Sequence, residues 1–288
     1  MGLSAREWRI TFEVALLSFL TRARPNSVNS LRIRRARLSD KQPGLLREGK
    51  MDKIDSSVHV KNYILSSVSE NDRDELLPDL QLVSLRHSEV LYEMGDAIDY
   101  VHFPNSGMCS LVSHTKDGDS LGVGAVGYDG IIDLAAFFGD ETIQYRVIVQ
   151  SEGDALRVSA AAFKKACKRS DSLRAVLLRY TQAVITQLNQ AAVCNRFHPV
   201  ESRLCRWLLQ CQDLVRSGEL QLTQEFIAYM LGVRRAGITV AAGAIQSLGL
   251  IHCNRGHITI VDREGLKAAS CECYEIISET RNKYLAEI

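Results

Sequence analysis

The stretch Gly122-Val-Gly-Ala-Val-Gly127 spells G-x-G-x-x-G, the spacing with which dinucleotide-binding enzymes cradle a pyrophosphate on backbone N–H groups. That chemistry needs a buried strand before the glycines and a helix opening directly behind them. Here the preceding residues, Ser113 to Ser120, are polar, and Asp117-Gly118 is a two-residue hairpin signal that predicts antiparallel strands on either side. The glycines are therefore assigned to a β-roll, where they relieve crowding at strand ends and corners. No oxidoreductase or other enzyme activity is expected.

Thiols and imidazoles come next. The eight cysteines fall at 109, 167, 194, 205, 211, 253, 271 and 273 and form no C-x-x-C pair, so zinc-ribbon and thioredoxin-type chemistry is not expected. Cys271-Glu-Cys273 is the one close pair, read as unrelated thiols of a reducing cytoplasm. The seven histidines show no i, i+4 pairing, and His87, His102 and His114 are read as ordinary strand residues. No metal and no cofactor is expected.

The arginines are more informative. Between Glu225 and Asp262 there is no acidic residue, while Arg234, Arg235 and Arg255 fall at a turn, a helix start and a hairpin tip. Those positions suit phosphate and the major groove. Thr223 is an N-cap for a short helix ending near Leu231, Gly232 turns the chain, and a second helix runs from about Arg234 to Leu248. Ala228 and Gly232 have helix-turn-helix spacing, and the strands flanking Asn254-Arg-Gly256 predict a wing. The DNA-facing set is Thr223, Gln224, Arg234, Arg235, Ala236, Thr239, Val240, Arg255 and His257, with double-stranded DNA as partner.

The elements that position these residues follow from periodicity. A helical pattern from Met51 to about Leu80, with Val60, Ile64, Leu65 and Val68 on one face, breaks at Pro78. Strands are predicted at 89–93, 98–103, 108–114, 120–126, 144–149 and 155–158, a spacing that indicates an antiparallel barrel or jelly roll. A long helix then runs from about Asp171 to Arg196. Leu173, Leu177, Tyr180, Val184, Gln187, Ala191 and Cys194 recur at gaps of four and three, which predicts a coiled-coil dimer seam. The same stripe would also serve a single helix lying on its own domain. Pro199 starts a second helix, Val200 to Val215.

At 288 residues the chain has room for two cores. Residues 1–50 carry eleven Lys/Arg against four Asp/Glu, leaving 24 basic against 30 acidic residues from 51 onward. The body is mildly acidic, so nucleic-acid contact must come from a local patch. No run reaches the ~18 apolar residues of a membrane span, and no secretory signal is expected. The basic leader reads as disordered, with translation expected to begin at Met51 and a nucleic-acid-binding arm as the rival reading. The fold class is α+β. Residues 51–170 form a sensor β-roll, 171–197 a dimerisation helix, 198–270 a winged helix-turn-helix, and 271–288 a helical tail.

From Val58 to Ile277 the sequence resembles the Crp/Fnr superfamily of bacterial transcription regulators. The marks are Gly95-Asp96, Asn105-Ser-Gly107, Asp117-Gly118, Leu222-Thr-Gln-Glu225, Leu231-Gly-Val233, Gly249-Leu-Ile251 and Ile258-Thr-Ile-Val-Asp-Arg263. The resemblance implies a cyclic-nucleotide-binding-like barrel and a cytoplasmic homodimer on a palindromic DNA site. RNA polymerase and an unidentified small-molecule effector are further partners it suggests. Members that bind cyclic AMP carry a Gly-Glu pair and an Arg-Ser-Ala run; here the glutamate position falls on Ile131 and the arginine position on Tyr145. Arg146, Tyr145 and Asp133 remain as effector candidates, and cyclic AMP binding is not expected. Redox members carry an N-terminal cysteine cluster, whereas no cysteine here precedes Cys109. The family's recognition pattern of Arg, Glu and a second Arg falls on Arg235, Ala236 and Val240, leaving one guanine reader with Thr239 and Val240 for a thymine methyl. The alternative function is a small-molecule sensor whose winged helix binds protein.

Overall fold

The computed structural model describes residues 60–286; the leader, the expected start at Met51 and the first residues of the predicted N-terminal helix lie outside the described residues. Within them the predicted single helix is two short ones, α1 (Tyr63–Ser67) and α2 (Glu70–Leu76). The break comes at Val68-Ser69, earlier than Pro78, because the Ser69 side chain caps the second helix by accepting from Asp72 N. Pro78 sits instead in a 3₁₀ turn, Leu77–Asp79.

The β-roll is antiparallel throughout. One sheet orders β1 (Gln81–Leu85), β7 (Gly153–Ser159) and β3 (Tyr100–Pro104). The other orders β2 (Val90–Tyr92), β6 (Arg146–Ser151), β4 (Met108–His114) and β5 (Ser120–Val126). The periodicity reading omitted β1 (Gln81–Leu85), whose burial alternates regularly but whose apolar residues do not, since Leu82 is exposed while Val83 and Leu85 turn inward. It also omitted α3 (Ala135–Phe138), a single turn, and α4 (Ala160–Arg169), which follows β7 with no residue between them.

Strand β6 buries four consecutive residues, 147–150. Val147 and Val149 face the barrel core with Phe103, Ile132 and Leu156, whereas Ile148 joins Met108 and Val112 in a second core beneath the C-terminal half. Burial on both faces replaces the alternation of a one-sided sheet. The second core is built on α6 (Val200–Val215), which buries Leu204, Leu208 and Cys211 as the periodicity predicts.

The long helix α5 (Asp171–Phe197) corrects the predicted dimer seam. Leu173, Leu177, Tyr180 and Cys194 are buried, and Val184 packs on the barrel core. Gln187 and Ala191 line small crevices beside β5. The four-and-three stripe is the face α5 turns toward its own chain, and a neighbouring stripe is open: Leu178 is 58% exposed, Ile185 46% and Leu188 39%. Heptad spacing records that a helix packs against something and says nothing of whose chain it is.

The C-terminal segment is no loose tail. Helices α9 (Arg263–Ala269) and α10 (Cys273–Ala286) close the chain. From α10, Arg281 is ion-paired with Asp129, and Tyr284 Oη donates to the Asp129 carbonyl at 3.1 Å. The last helix thereby ties the barrel to the C-terminal half. Among the described residues no helix is long and apolar enough to cross a membrane.

Candidate nucleic-acid interface

Two helices and a hairpin assemble the C-terminal surface. Helix α7 (Gln224–Leu231) is capped by Thr223, whose hydroxyl accepts from Phe226 N at 3.1 Å, a contact of ~1 kcal/mol. Gly232 ends it in the left-handed conformation, φ +61°. Buried Arg203 reaches across from α6 and donates to the Leu231 carbonyl and, at 2.9 Å, to Asn195 Oδ1. The end of α7 is thus fixed against the base of the domain.

Helix α8 (Arg235–Ser247) buries Ile238, Ala241, Ala242 and Ile245, so its opposite face is free. On that face stand Arg235, Ala236, Thr239 and Val240, with Arg234 at the N-cap. Val240 is 54% exposed although apolar. The Thr239 hydroxyl donates to Gln224 Oε1 at 2.8 Å, joining the exposed starts of the two helices. Strands β9 (Ile251–Asn254) and β10 (His257–Ile260) form the wing, completed by β8 (Glu219–Gln221). Asn254 pairs with His257, leaving Arg255-Gly256 as a two-residue turn with both φ values positive, +37° and +87°. That is the I′ pattern, which matches the strand twist and puts Arg255 at the tip. Every residue of the predicted DNA-facing set is exposed except Gln224, which is half-buried.

This unit docks on the β-roll. Gly122, in the middle of β5, lies under α7, and a Cβ there would collide with the Met230 side chain and carbonyl. The glycine that opened the dinucleotide question therefore serves a close approach between domains and not a strand corner. His114 Nε2 lies 2.8 Å from the Tyr229 hydroxyl across the same boundary. Burial first, and Arg146 second, push the His114 imidazole below its ordinary 6.5.

The effector candidates separate. Asp133 and Tyr145 gather with Tyr92 and His102: His102 Nδ1 is 3.5 Å from Asp133 Oδ2, and the Tyr92 and His102 rings are 6.0 Å apart. Burial pushes the Asp133 carboxyl and the Tyr145 phenol upward, and Asp133 adds to the shift at Tyr145. Arg146 instead pairs with Glu93 at 2.7 Å, away from that cluster. Ile131, at the glutamate position, is a core residue. A cavity of about 50 Å³ lies elsewhere, between α5, α6 and α10, and has room for a few waters. His87 Nδ1 is engaged at 2.8 Å by the Gln150 carbonyl.

Sequence reasoning missed one convergence. Cys271 and Cys273, read as unrelated thiols, meet Cys194 in a buried cluster of their own, because α10 folds back along α5. The hydrogen bond shared by Cys194 and Cys271 holds the Cys194 thiol below its ordinary value, with Arg206 adding to the effect, and pushes Cys271 up. No spacing rule could reveal this, since 77 residues separate Cys194 and Cys271.

The cyclic nucleotide-binding domain family matches residues 82–170, and the Crp-like helix-turn-helix domain family matches residues 202–269. No curated protein sequence matches the chain. Among solved structures, FixK2 from Bradyrhizobium japonicum is similar at 15% identity and TM-score 0.58, covering 67% of this chain and 98% of its own. A transcriptional regulator of the Crp/Fnr family from Eubacterium rectale shares 20% identity at TM-score 0.56, covering 72% and 98%. The c-di-GMP responsive global regulator CLP of Xanthomonas campestris shares 14% at TM-score 0.54, covering 67% and 99%. At these identities the likeness to the solved structures is one of fold.

Proposed function

Since the chain belongs to the Crp/Fnr superfamily of bacterial transcription regulators, with both domain families in their order along it, we propose that it is a cytoplasmic homodimer that binds a palindromic DNA site. The observation that carries this reading is the exposed, carboxylate-free face on which Arg234, Arg235 and Arg255 stand around Thr239 and Val240. A helix-turn-helix used only for packing has no need of exposed cations at turn, helix start and wing tip together. Arg235 forks onto a guanine, Val240 meets a thymine methyl, and Arg234 and Arg255 take phosphates. Two subunits pair through the open stripe of α5, Leu178, Ile185 and Leu188.

The barrel is a repurposed sensor that does not take cyclic AMP. A cyclic phosphate buried there would face Asp133 and two phenols in place of an arginine, and a buried anion without a charged partner costs several kcal/mol or more. RNA polymerase is the proposed downstream partner. The test is fluorescence anisotropy of the full chain with labelled duplex at two salt concentrations. Affinity that falls steeply with salt supports the reading, and salt-insensitive or absent binding overturns it.

A further inference from the structure

Four side chains from separate stretches converge where α5 hands over to the DNA-binding half. Cys194 lies in the last turn of α5, His198 caps that helix, and Cys271 and Cys273 stand at the start of α10. Their ligand-type atoms all lie within 4.8 Å of one another. Cys194 Sγ and Cys271 Sγ are 3.5 Å apart, and Cys273 Sγ is 3.5 Å from His198 Nδ1. Around one tetrahedral zinc ion, with Zn–S about 2.3 Å and Zn–N about 2.0 Å, ligand atoms stand roughly 3.5–3.8 Å from each other.

The competing explanations fit less well. A disulfide requires sulfurs about 2.05 Å apart. An iron–sulfur cluster divides its four ligands between two irons or among four, which spreads them wider than a single ion does. Ordinary buried thiols have no reason to collect three sulfurs around an imidazole lone pair.

The surroundings point the same way. His198 Nε2 lies 3.1 Å from Glu272 Oε1. Donation from Nε2–H to that carboxylate leaves the Nδ1 lone pair facing the sulfurs, the arrangement by which proteins orient a metal-bound histidine. Buried Arg206 donates through Nε to Cys194 Sγ at 3.2 Å. Three thiolates and a divalent cation leave one negative charge, which that guanidinium balances.

We propose that Cys194, His198, Cys271 and Cys273 form a Cys₃His site for a tetrahedral divalent metal ion of the zinc class. On binding, three metal–sulfur bonds and one metal–nitrogen bond form, the thiol protons leave to solvent, and no electron is transferred. The site clamps the chain entering the DNA-binding domain to the chain leaving it. It is a structural staple at the hinge on which that domain sits, with no open position for catalysis.

The experiment uses the full chain, purified under reducing conditions without chelator, and reads bound metal by mass spectrometry and by cobalt replacement. About one zinc per chain is expected, and Co²⁺ should give the visible bands of a tetrahedral thiolate site. Cys271→Ser and Cys273→Ser should each remove most of the metal. Because those variants risk misfolding, Glu272→Gln supplies a milder probe, with affinity lowered ~10–100-fold at unchanged stoichiometry and fold. A folded wild-type chain that neither carries nor takes up Zn²⁺ or Co²⁺ overturns the proposal. So does a Cys194–Cys271 disulfide in the intact mass, or iron with acid-labile sulfide. Metal content is read without DNA, so this result stands apart from the regulator assignment.

Discussion

Arg235 and Arg255 share a side chain and differ in what their positions allow it to meet. Arg235 opens α8 on the exposed face beside Ala236 and Thr239, where a guanidinium reaches base edges. Arg255 occupies the wing turn, at φ +37°, and in the proposed complex it would meet only the sugar–phosphate backbone. Arg235→Ala should therefore cost ~1–3 kcal/mol per half-site and relax preference at one base position. Arg255→Ala should weaken all sequences alike and flatten the salt slope by about one unit per subunit, roughly two for the dimer. A panel of single-base duplex variants at two salt concentrations reads both effects. Unchanged base preference in the first variant, or altered preference in the second, would exchange the roles assigned to helix and wing.

Elements show where reading a sequence succeeds and where it stops. Helix α6 was legible because Val200–Val215 starts behind Pro199, although it is buried all round from Arg203 to Cys211 and not along one stripe. The helix-turn-helix was legible because Thr223, Gly232 and the Asn254-Arg-Gly256 turn are local signals whose chemistry forces local geometry. The dimer seam was not, because the stripe through Leu177 and Tyr180 is satisfied inside the chain, and periodicity does not name the partner. The open stripe gives the corrected expectation. Leu178→Asp with Ile185→Asp should convert a dimer to folded monomers in sedimentation, whereas Leu177→Asp should unfold the chain. A double variant that stays dimeric would place the interface elsewhere.

The docking of α7 on β5 carries its own pH dependence. His114 sits against Tyr229 with Arg146 and Glu93 nearby, and burial with Arg146 lowers its pKa. A histidine lowered in the folded state stabilises it fully above the unfolded value of 6.5 and loses that contribution as pH falls through the lower folded value. Protection factors across β5 and α7, with the intrinsic pH dependence of exchange divided out, should therefore fall below about pH 6.5, and His114→Gln should remove that change. Protection factors that are flat with pH in the wild-type chain would contradict this.

At the scale of the molecule, the barrel, α5 and the winged helix form one packed body in which α10 touches each part. Neither that closure nor the four-residue cluster at the hinge was legible, since both depend on segments distant in sequence folding side by side. The proposal that the barrel does not take cyclic AMP rests on Ile131 and Tyr145 at the positions of the family's glutamate and arginine. Calorimetry of the full chain should accordingly show cyclic AMP binding no tighter than ~1 mM. Micromolar affinity would mean that the Asp133 cluster rearranges to admit the nucleotide.

The central claim, a dimer reading DNA through α8, is tested most directly by selecting duplexes from a randomised pool with the full chain. The account predicts enrichment of a two-fold symmetric site with half-site centres about one helical turn apart, each containing a guanine whose preference Arg235→Ala abolishes. Affinity for that site should fall with salt at a slope of roughly −4, from Arg234 and Arg255 on two subunits at ~0.9 per phosphate. Enrichment of no sequence, or of a site whose preference survives Arg235→Ala, would contradict it.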